Sequence, residues 1–499
     1  MKSTALSFFS ALLLTLSFPP FDFGILAWIA FVPFFFALEE KALGQAFWIS
    51  YLSGFFFFFG LLQWVHYVTW AGTVVLVLYL SLYTALFGVG IKFLDRKGSF
   101  FWIPSLWVAL EFLRSFLFTG FGWGLLGYSQ WKVLNLIQIA DRTGPYGVSF
   151  LVMSGNVALY QCLRKGERGK KAFFPVLFFL ALLGSALGYA LVDPPPSSSS
   201  LIRVSVIQGN IPQDLKWDAS VQDLIMKKYE RLTRAVSGNR PDAIFWPETA
   251  VPGFVPEEGP LWNRLVALSR DSKTFLLVGA PWVEEKAIYN SALFLEKGKL
   301  LQRYDKLHLV PFGEFIPFEK NFPKLREWIE TGDFQPGKEA TVFRHPKGTF
   351  SVLVCFEDIF PDLVRRFAEG SDFLVNITND AWFMKSGAPF QHAQASVFRA
   401  VENRRSLLRV TNTGFTCLID PRGNILRKLD IGGESLFVTG YETWEVPLSK
   451  EETFYTLHGD LFAWGCVALT FLGASLSLKR ASSHRGLSLS STPALSNKD

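Results

Sequence analysis

The sequence predicts a polytopic α-helical membrane region of about eight spans joined to a water-facing α/β domain. Only 20 charged residues precede Asp193, although the chain has 49 Lys and Arg and 43 Asp and Glu, and the same stretch holds 28 of the 51 Phe. An average soluble domain has about 25% charged residues. After Asp193 the pattern changes to short β-type runs that alternate with amphipathic helical stretches. A wholly soluble protein, a disordered chain and a small disulfide-stapled protein are therefore excluded.

The membrane region, 1–192, is predicted to contain about seven helices. A bilayer-spanning helix needs about 20 mostly apolar residues. Apolar stretches lie at about 3–18, 24–38, 44–65, 70–94, 100–118, 146–163 and 172–192, and one more lies at 457–478. The first two are short and predict a tight hairpin. A cleaved signal peptide over the first stretch stays open as the alternative, although no A-x-A cleavage site follows it.

Lys and Arg cluster in the loops on one side of these spans. With the N-terminus inside, the inside loops carry Lys41 and the basic clusters at 92–97 and 164–171, and the tail 479–499 adds further basic residues. Of the outside loops, those near 19–23 and 66–70 carry none, and the loop at 119–145 carries Lys132 and Arg142. Cytoplasmic loops are enriched in Lys and Arg. The bias predicts cytoplasmic termini and places the α/β domain on the opposite side of the membrane.

The α/β domain is predicted over 201–450, after a Pro- and Ser-rich linker at 193–200. Many of its predicted strands are continuous apolar runs, which suits sheets covered on one or both faces. The predicted strands are 202–208, 243–246, 275–280, 291–295, 300–304, 351–354, 373–377, 406–411 and 417–420, and the predicted helices are 218–236, 260–271, 360–369 and 389–403. This alternation indicates one layered α/β sandwich.

Composition excludes several kinds of partner. The net charge of +6 does not indicate nucleic-acid binding, because the basic residues are scattered or sit in short clusters between apolar runs. The four Cys are not spaced as zinc ligands are, and the six His are not part of an H-E-x-x-H motif. The sequence therefore predicts no metal site. Glu111 and Arg114 are spaced to pair with each other inside a span. No span shows the repeated buried charges expected of a transporter.

Three predicted strands end in side chains that can do chemistry. Glu248 follows FWP, Lys306 follows RYD, and Cys355 follows VLV. Taken singly, each has a structural explanation: a capping acid, one lysine among many, and a core thiol or a disulfide partner of Cys417. The compartment opposite the cytoplasm is oxidising, so a retained thiol there needs a reason. The order Glu, Lys, Cys within one domain favours catalysis.

That order and its flanks resemble the nitrilase, or carbon–nitrogen hydrolase, superfamily over about 202–440. The matching segments are WPE at 246–248, YDK at 304–306, VCFED at 354–358 and NITND at 376–380. Seven preceding spans and one following span make nearly the whole chain similar to the apolipoprotein N-acyltransferase family, as do PFGEFIP at 311–317 and TNTG at 411–414. The resemblance implies an αββα sandwich facing the periplasm from a bacterial inner membrane, without a cofactor.

The resemblance also implies roles for individual residues. Glu248 is the general base, Lys306 the electrostatic partner and Cys355 the nucleophile, with the backbone N–H of Phe356 as an oxyanion donor. Glu314, Glu357 and Trp217 match positions that support the site or touch substrate. The family commonly has Tyr after the nucleophile, so Phe356 keeps the backbone donor and lacks a hydroxyl.

The activity that the resemblance implies is the transfer of an acyl chain between two membrane-anchored molecules. A glycerophospholipid donates the chain to Cys355 as a thioester, and the α-amino group of a diacylglyceryl-cysteine apolipoprotein accepts it. The partners are then the phospholipid, the diacylated apolipoprotein and the bilayer. One alternative is a membrane-tethered nitrilase-like amidase that hydrolyses small amides. Another is a transporter or scaffold with a degenerate catalytic domain.

Overall fold

The computed structural model of the protein describes residues 2–94, 98–164, 170–192, 200–328 and 332–489. The chain before 193 is helical, and we refer to it as the helical region. Thr69 shows how one of its helices begins, because its hydroxyl accepts the backbone N–H of Gly72 at 3.3 Å. The α-helices of this region are α1 (Lys2–Leu16), α2 (Phe31–Leu38), α3 (Leu43–Leu62), α4 (Trp70–Phe93), α5 (Ser99–Arg114), α6 (Leu134–Ile137), α7 (Ala140–Thr143), α8 (Pro145–Leu163) and α9 (Lys170–Val192).

Three helical stretches among the described residues are long and apolar enough to cross a bilayer. They are Leu43–Tyr67, Trp70–Phe93 and Phe173–Val192. Shorter apolar helices lie at Lys2–Leu16, Gly24–Leu38 and Leu461–Ser477. The apolar helices that the sequence predicts are present at the expected places, whereas the count of about eight spans stays a prediction.

The α/β domain contains two six-stranded sheets. Its strands are β1 (Leu201–Gln208), β2 (Ala243–Phe245), β3 (Phe275–Glu284), β4 (Ala287–Glu296), β5 (Lys299–Asp305), β6 (Val342–His345), β7 (Gly348–Val354), β8 (Phe373–Thr378), β9 (Ser406–Thr411), β10 (Cys417–Ile419), β11 (Ile425–Lys428) and β12 (Gly440–Pro447). The first sheet has the order β12-β1-β2-β3-β4-β5 and the second β11-β10-β9-β8-β7-β6. The central strands β1–β3 and β7–β9 run parallel, and the flanking strands are antiparallel.

Alternation along the strands of the first sheet builds two separate cores. Phe245 and Leu277 belong to the core between the sheets, where the Phe245 ring lies 5.3 Å from that of Phe350 on β7. Their neighbours Ile244 and Leu276 belong instead to the core under the outer helices. Successive strand residues point to opposite faces, so a strand that is apolar at every position is buried on both sides.

Helices cover the outer face of each sheet. The helices of the α/β domain and the C-terminal segment are α10 (Gln222–Ser237), α11 (Gly259–Asp271), α12 (Leu325–Trp328), α13 (Pro361–Ala368), α14 (Ala388–Asn403), α15 (Phe454–His458) and α16 (Leu461–Leu489). Helices α10 and α11 pack on the first sheet, and α13 and α14 on the second. The predicted αββα sandwich is confirmed. The sequence missed β6, β11 and β12, which are edge strands carrying many polar or exposed side chains.

The second sheet layer lies against the helical region. Helix α14 contacts α7, and α16 packs along α5, where the rings of Phe112 and Trp464 are 5.0 Å apart. One continuous buried core runs from α1 to the second sheet. The predicted linker, except Ser200, lies outside the described residues, as does 490–499 of the predicted cytoplasmic tail.

Candidate active site

Cys355 begins a tight turn directly after β7. Its backbone has a φ of +59°, in the left-handed region that residues other than glycine rarely adopt, and a 3₁₀ turn, Cys355–Ile359, follows. Asn376 on the adjacent strand donates its side-chain N–H to the carbonyl of Cys355 at 2.7 Å. Such backbone strain is found at sites where the surroundings fix an unusual geometry. Here it presents the thiol at the end of a buried strand.

Glu248 follows β2 and is almost completely buried. Its Oε2 accepts the backbone N–H of Asn379 at 2.8 Å, and its Oε1 accepts the side-chain N–H of Asn290 at 2.8 Å. The Lys216 ammonium, also buried, donates to the carbonyl of Glu248 at 3.1 Å. The carboxylate is thereby held by both sheets, because Asn290 lies on β4 and Asn379 follows β8.

Lys306 follows β5, and its ammonium is fully shielded from solvent. Its Nζ lies 2.9 Å from Oε2 of Glu314 and 3.8 Å from Oε1 of Glu248. The same Asn290 amide that binds Glu248 also donates to Oε1 of Glu314 at 2.8 Å. Glu314 further accepts the backbone N–H of Val310 at 2.8 Å. The structure thus brings the predicted residues Glu248, Lys306 and Glu314 together around one amide.

The charges around Cys355 shift the pKa of its thiol in opposite directions. Burial raises the pKa of the Cys355 thiol, and the carboxylate of Glu248 raises it further, whereas the ammonium of Lys306 lowers it. For Lys306, burial opposes the charged form, but the charges of Glu314, Cys355 and Glu248 raise the ammonium pKa above its ordinary value. The resting site therefore holds a neutral thiol beside a carboxylate and an ammonium. Such a thiol needs a base in order to react.

Glu357 hydrogen-bonds both to the chain just before Cys355 and to the turn that follows Lys306. Its Oε1 accepts the Tyr304 hydroxyl at 2.8 Å and the backbone N–H groups of Leu307 and His308 at 2.8 and 3.0 Å. Its Oε2 accepts the backbone N–H of Val354 at 2.7 Å. Burial raises the pKa of Glu357 to about 7, and Lys306 and these N–H donors oppose the rise. This carboxylate joins the end of β5 to the end of β7.

Several large aromatic side chains are exposed on loops that are close in sequence to residues of the site. Trp217 is 45% exposed, and its ring lies 6.2 Å from that of Phe254 in a stacked arrangement. Phe312 and Trp382 are about half exposed on other loops. Phe356 is partly buried, with its ring centroid 5.3 Å from Nζ of Lys306. The loops that carry the predicted motifs therefore present apolar surface to the outside.

Sequence reasoning missed four polar residues that hold the site. Asn290 is a polar residue within the largely apolar strand β4. An amide in such a run indicates a buried hydrogen-bonding role, and this signal could have identified Asn290. Asn379 lies within the matched segment at 376–380 but was given no role. Asn376 lies in the same segment and was also given no role, and Lys216 had no local signal. Burial lowers the pKa of Lys216 to about 8, against the charges of Glu248 and Cys355.

The disulfide alternative for Cys355 is not realised in this structure. Cys355 and Cys417 are both free thiols. Cys417 lies fully buried on β10, where burial raises its pKa, as expected of a core thiol.

Two family models and several curated proteins match this chain. Residues 10–158 match the family model of the apolipoprotein N-acyltransferase N-terminal domain, and residues 203–440 match that of carbon–nitrogen hydrolase. An apolipoprotein N-acyltransferase of Geobacter metallireducens is 41% identical, with 95% of each chain covered. One of Chlorobaculum tepidum is 31% identical, over 94% of this chain and 95% of the relative.

Among solved structures, a mutant amidase of the nitrilase superfamily from Nesterenkonia AN1 is similar to this chain. It is 18% identical with a TM-score of 0.39, and the match covers 55% of this chain and 96% of that one. The sequence identity to the curated relatives extends through both the helical region and the α/β domain. The chain therefore belongs to the apolipoprotein N-acyltransferase family.

Proposed function

We propose that this chain transfers an acyl chain from a glycerophospholipid, through a thioester on Cys355, to the α-amino group of a diacylglyceryl-cysteine apolipoprotein. The observation that carries the proposal is the buried Glu248–Lys306–Glu314 cluster beside a strained, free Cys355 in a member of this family. The relatives are named for the same acyl transfer to apolipoproteins.

In the first half-reaction, Glu248 takes the proton of Cys355 as the sulfur attacks the ester carbonyl of the donor. The tetrahedral oxyanion is stabilised by Lys306 and by the backbone N–H of Phe356. A well-placed donor of this kind contributes about 3–4 kcal/mol to transition-state stabilisation. When the intermediate collapses, the C–O bond breaks and Glu248 returns its proton to the lysophospholipid alkoxide. A thioester on Cys355 remains.

In the second half-reaction, the acceptor amine attacks the thioester carbonyl. Glu248 takes a proton from the amine, and the same two donors stabilise the second oxyanion. The C–S bond then breaks, the sulfur recovers the proton from Glu248, and an amide is released. One base serves both halves because proton removal from the nucleophile comes first in each.

We infer that Glu314 and Glu357 position Lys306 rather than touch the substrate. Glu314 pairs with the ammonium directly, and Glu357 fixes the turn that follows it. Trp217, which is exposed and follows Lys216 directly in sequence, is the better candidate for contact with an acyl chain. Large aromatic side chains of this kind favour the boundary between water and lipid.

We further infer the membrane arrangement from charge and composition. The region 1–192 and the helix predicted at 457–478 lie in a bacterial inner membrane, and the domain 201–450 faces the periplasm. The linker at 193–200 and the cytoplasmic tail at 479–499 complete this division. The bias of Lys and Arg toward one set of loops supports it, and two lipid-bearing substrates would reach the site from the bilayer surface.

Mass spectrometry of the acyl-enzyme tests this proposal. Full-length protein incubated with phosphatidylethanolamine alone should carry a hydroxylamine-labile acyl group on Cys355, and a diacylated lipopeptide added afterwards should remove it. Cys355→Ala should carry no acyl group and should transfer none, with folding and membrane insertion unchanged. Substantial N-acylation by Cys355→Ala would refute the assignment. Hydrolysis of small amides without a lipid thioester would instead favour the amidase alternative.

A further inference from the structure

Gln391 lies on the first turn of α14, and its side-chain amide makes all of its hydrogen bonds to the helical region. Its Oε1 accepts the indole N–H groups of Trp64 at 3.0 Å and Trp123 at 2.8 Å. Its Nε2 donates to the carbonyls of Pro19 at 2.7 Å and Leu61 at 3.1 Å. Indoles can only donate and carbonyls can only accept, so the amide has one permitted orientation. All four of its hydrogen-bonding positions are used.

Two buried side chains on α5, Glu111 and Arg114, hold one of these partners in place; the hydrogen bonds described for them go to the following loop, whereas the sequence predicted that they pair with each other. Arg114 donates to the carbonyl of Trp123 at 2.9 Å, and Glu111 accepts the backbone N–H of Leu126 at 2.7 Å. The loop that presents the Trp123 indole is therefore fixed by the helix behind it. The position of Gln391 depends on the helical region as a packed unit.

The next residue, His392, faces the opposite way, into the α/β domain. Its Nε2 lies 2.7 Å from Oδ1 of Asp358, and its Nδ1 lies 3.2 Å from Oδ1 of Asp380. A carboxylate can only accept, so both ring nitrogens carry protons and the ring is an imidazolium. The Asp358 charge raises the pKa of His392 to about 9 against the effects of burial and Arg409.

The groups around this imidazolium come from every element packed against it. Arg409 on β9 donates to Oδ2 of Asp358 at 2.9 Å and lies 3.6 Å from Oδ2 of Asp380. Ser396, one helical turn further along α14, donates to Asp358. The Trp123 ring lies 5.4 Å from the imidazole ring. The negative charges of Asp358 and Asp380 are thus balanced by the positive charges of His392 and Arg409, and all four side chains are buried.

The two carboxylates belong to the two turns that build the reactive site. Asp358 lies three residues after Cys355 in the same 3₁₀ turn. Asp380 follows Asn379, whose backbone N–H binds the carboxylate of Glu248. His392 therefore links the turn of the thiol to the turn that holds its base, from a helix whose start is fixed by the helical region.

We propose that Gln391 and His392 are positioning residues, through which docking of the helical region sets the geometry between Cys355 and Glu248. Gln391 fixes the start of α14. His392, the next residue, contacts Asp358 and Asp380, so the position of the helix determines the positions of these two carboxylates. Neither residue belongs to the acid–base chemistry proposed above, and the inference rests on that proposed function. Because a displacement of about 1 Å at a reactive site can cost about a hundredfold in rate, loss of either link should slow thioester formation.

The test compares full-length Gln391→Met and His392→Gln with a matched control, Gln138→Met. Gln138 is equally buried at the same junction: it accepts from Arg404 at 2.7 Å and donates to the carbonyl of Arg422 at 3.0 Å. It has no bond to either reactive turn. If Gln391→Met does not fold, Trp64→Phe replaces it in the test. This variant removes only the indole N–H that donates to the Gln391 amide oxygen.

Two measurements are made on each folded variant. The single-turnover rate of thioester formation at saturating phosphatidylethanolamine should fall by about ten- to a hundredfold in Gln391→Met and His392→Gln, with the donor concentration for half-maximal rate little changed. Gln138→Met should stay near the wild-type rate. Iodoacetamide labelling of Cys355, followed at its peptide by mass spectrometry, should need a higher pH in His392→Gln, because Arg409 alone then balances the two charges of Asp358 and Asp380.

Equal slowing by the Gln391 and Gln138 variants would show that both act only through stability and would overturn the proposal. Wild-type acylation rates and an unchanged labelling profile in folded His392→Gln would also overturn it. The labelling does not require a lipid substrate. If the wild-type protein forms no thioester, the proposed function fails, while the pH profile of labelling still decides whether His392 positions the thiol.

Discussion

Replacement of Glu357 by Gln tests whether one buried carboxylate holds Lys306 and Cys355 in register. The carboxylate accepts four hydrogen bonds, three on Oε1 and one, from Val354, on Oε2. Gln keeps the volume and one accepting oxygen. Its NH₂ group, however, would face the N–H of Val354, donor against donor, immediately before the nucleophile.

The magnitude follows from these four bonds. A hydrogen bond to a charged group contributes about 1.5–3 kcal/mol, and the variant loses one such bond outright. The other three weaken because neutral bonds are roughly half as strong as charge-assisted ones. Relief from burying a charge offsets most of this loss, because the raised pKa of Glu357 means that burial disfavours the charge by more than the hydrogen bonds return. We therefore expect little net change in stability but, because the two turns separate, a fall in the maximal acylation rate of about a hundredfold.

The assay is single-turnover thioester formation over a range of donor concentrations, with thermal unfolding measured on the same samples. The matched control is Glu258→Gln, because Glu258 also accepts a backbone N–H, from Phe254 at 2.8 Å, and an amide N–H, from Gln222 at 2.8 Å. That variant should lose stability without losing rate. A folded Glu357→Gln protein that acylates within about threefold of wild type would refute the positioning role.

The pH dependence of Glu357 gives the same experiment a second readout. Its pKa rises from 4.5 to about 7 on folding, so between these values the native state binds more protons than the unfolded state. Stability therefore falls as pH rises through this window. The acylation rate should rise over the same window, because the ionised form accepts all four hydrogen bonds. This rising limb should be absent from Glu357→Gln.

Three further predictions concern the reactive groups themselves. Glu248→Gln removes the proposed base, so acyl transfer should be lost; because that carboxylate also raises the pKa of Cys355, iodoacetamide labelling of the thiol should begin at a lower pH, and a higher pH would contradict the assigned electrostatics. Lys306→Met leaves Glu248 and Glu314 without their cation, so unfolding should be easier by about 3–5 kcal/mol, as measured by thermal or denaturant unfolding, and labelling should slow. Phe356→Tyr should acylate within about threefold of wild type, because the proposed oxyanion donor is a backbone N–H; a larger loss would assign a role to the ring.

The catalytic residue types and their places at strand ends could be predicted because the signals are local. A continuous apolar run indicates a strand buried on both faces, and the polar residue after it lies at the sheet edge. Glu248 and Cys355 each follow such a run within three residues. Lys306 instead follows the mostly polar edge strand β5, and its place was inferred from the YDK segment that resembles the family. The apolar helices were predictable for the same reason, since length and hydropathy are properties of one segment.

The partners of the residues that hold the site could not be predicted in this way, because they are distant in sequence. Asn290 binds Glu248, 42 residues away, and Gln391 binds Pro19, 372 residues away. Nothing in the sequence around His392 indicates that it lies between two aspartates from different turns. The amino-acid sequence by itself determined where the chain becomes apolar and which residues, of types able to do acyl-transfer chemistry, follow its strands. Only the tertiary structure decided how those groups are aligned, because burial makes every unpaired polar atom costly and so selects one set of partners.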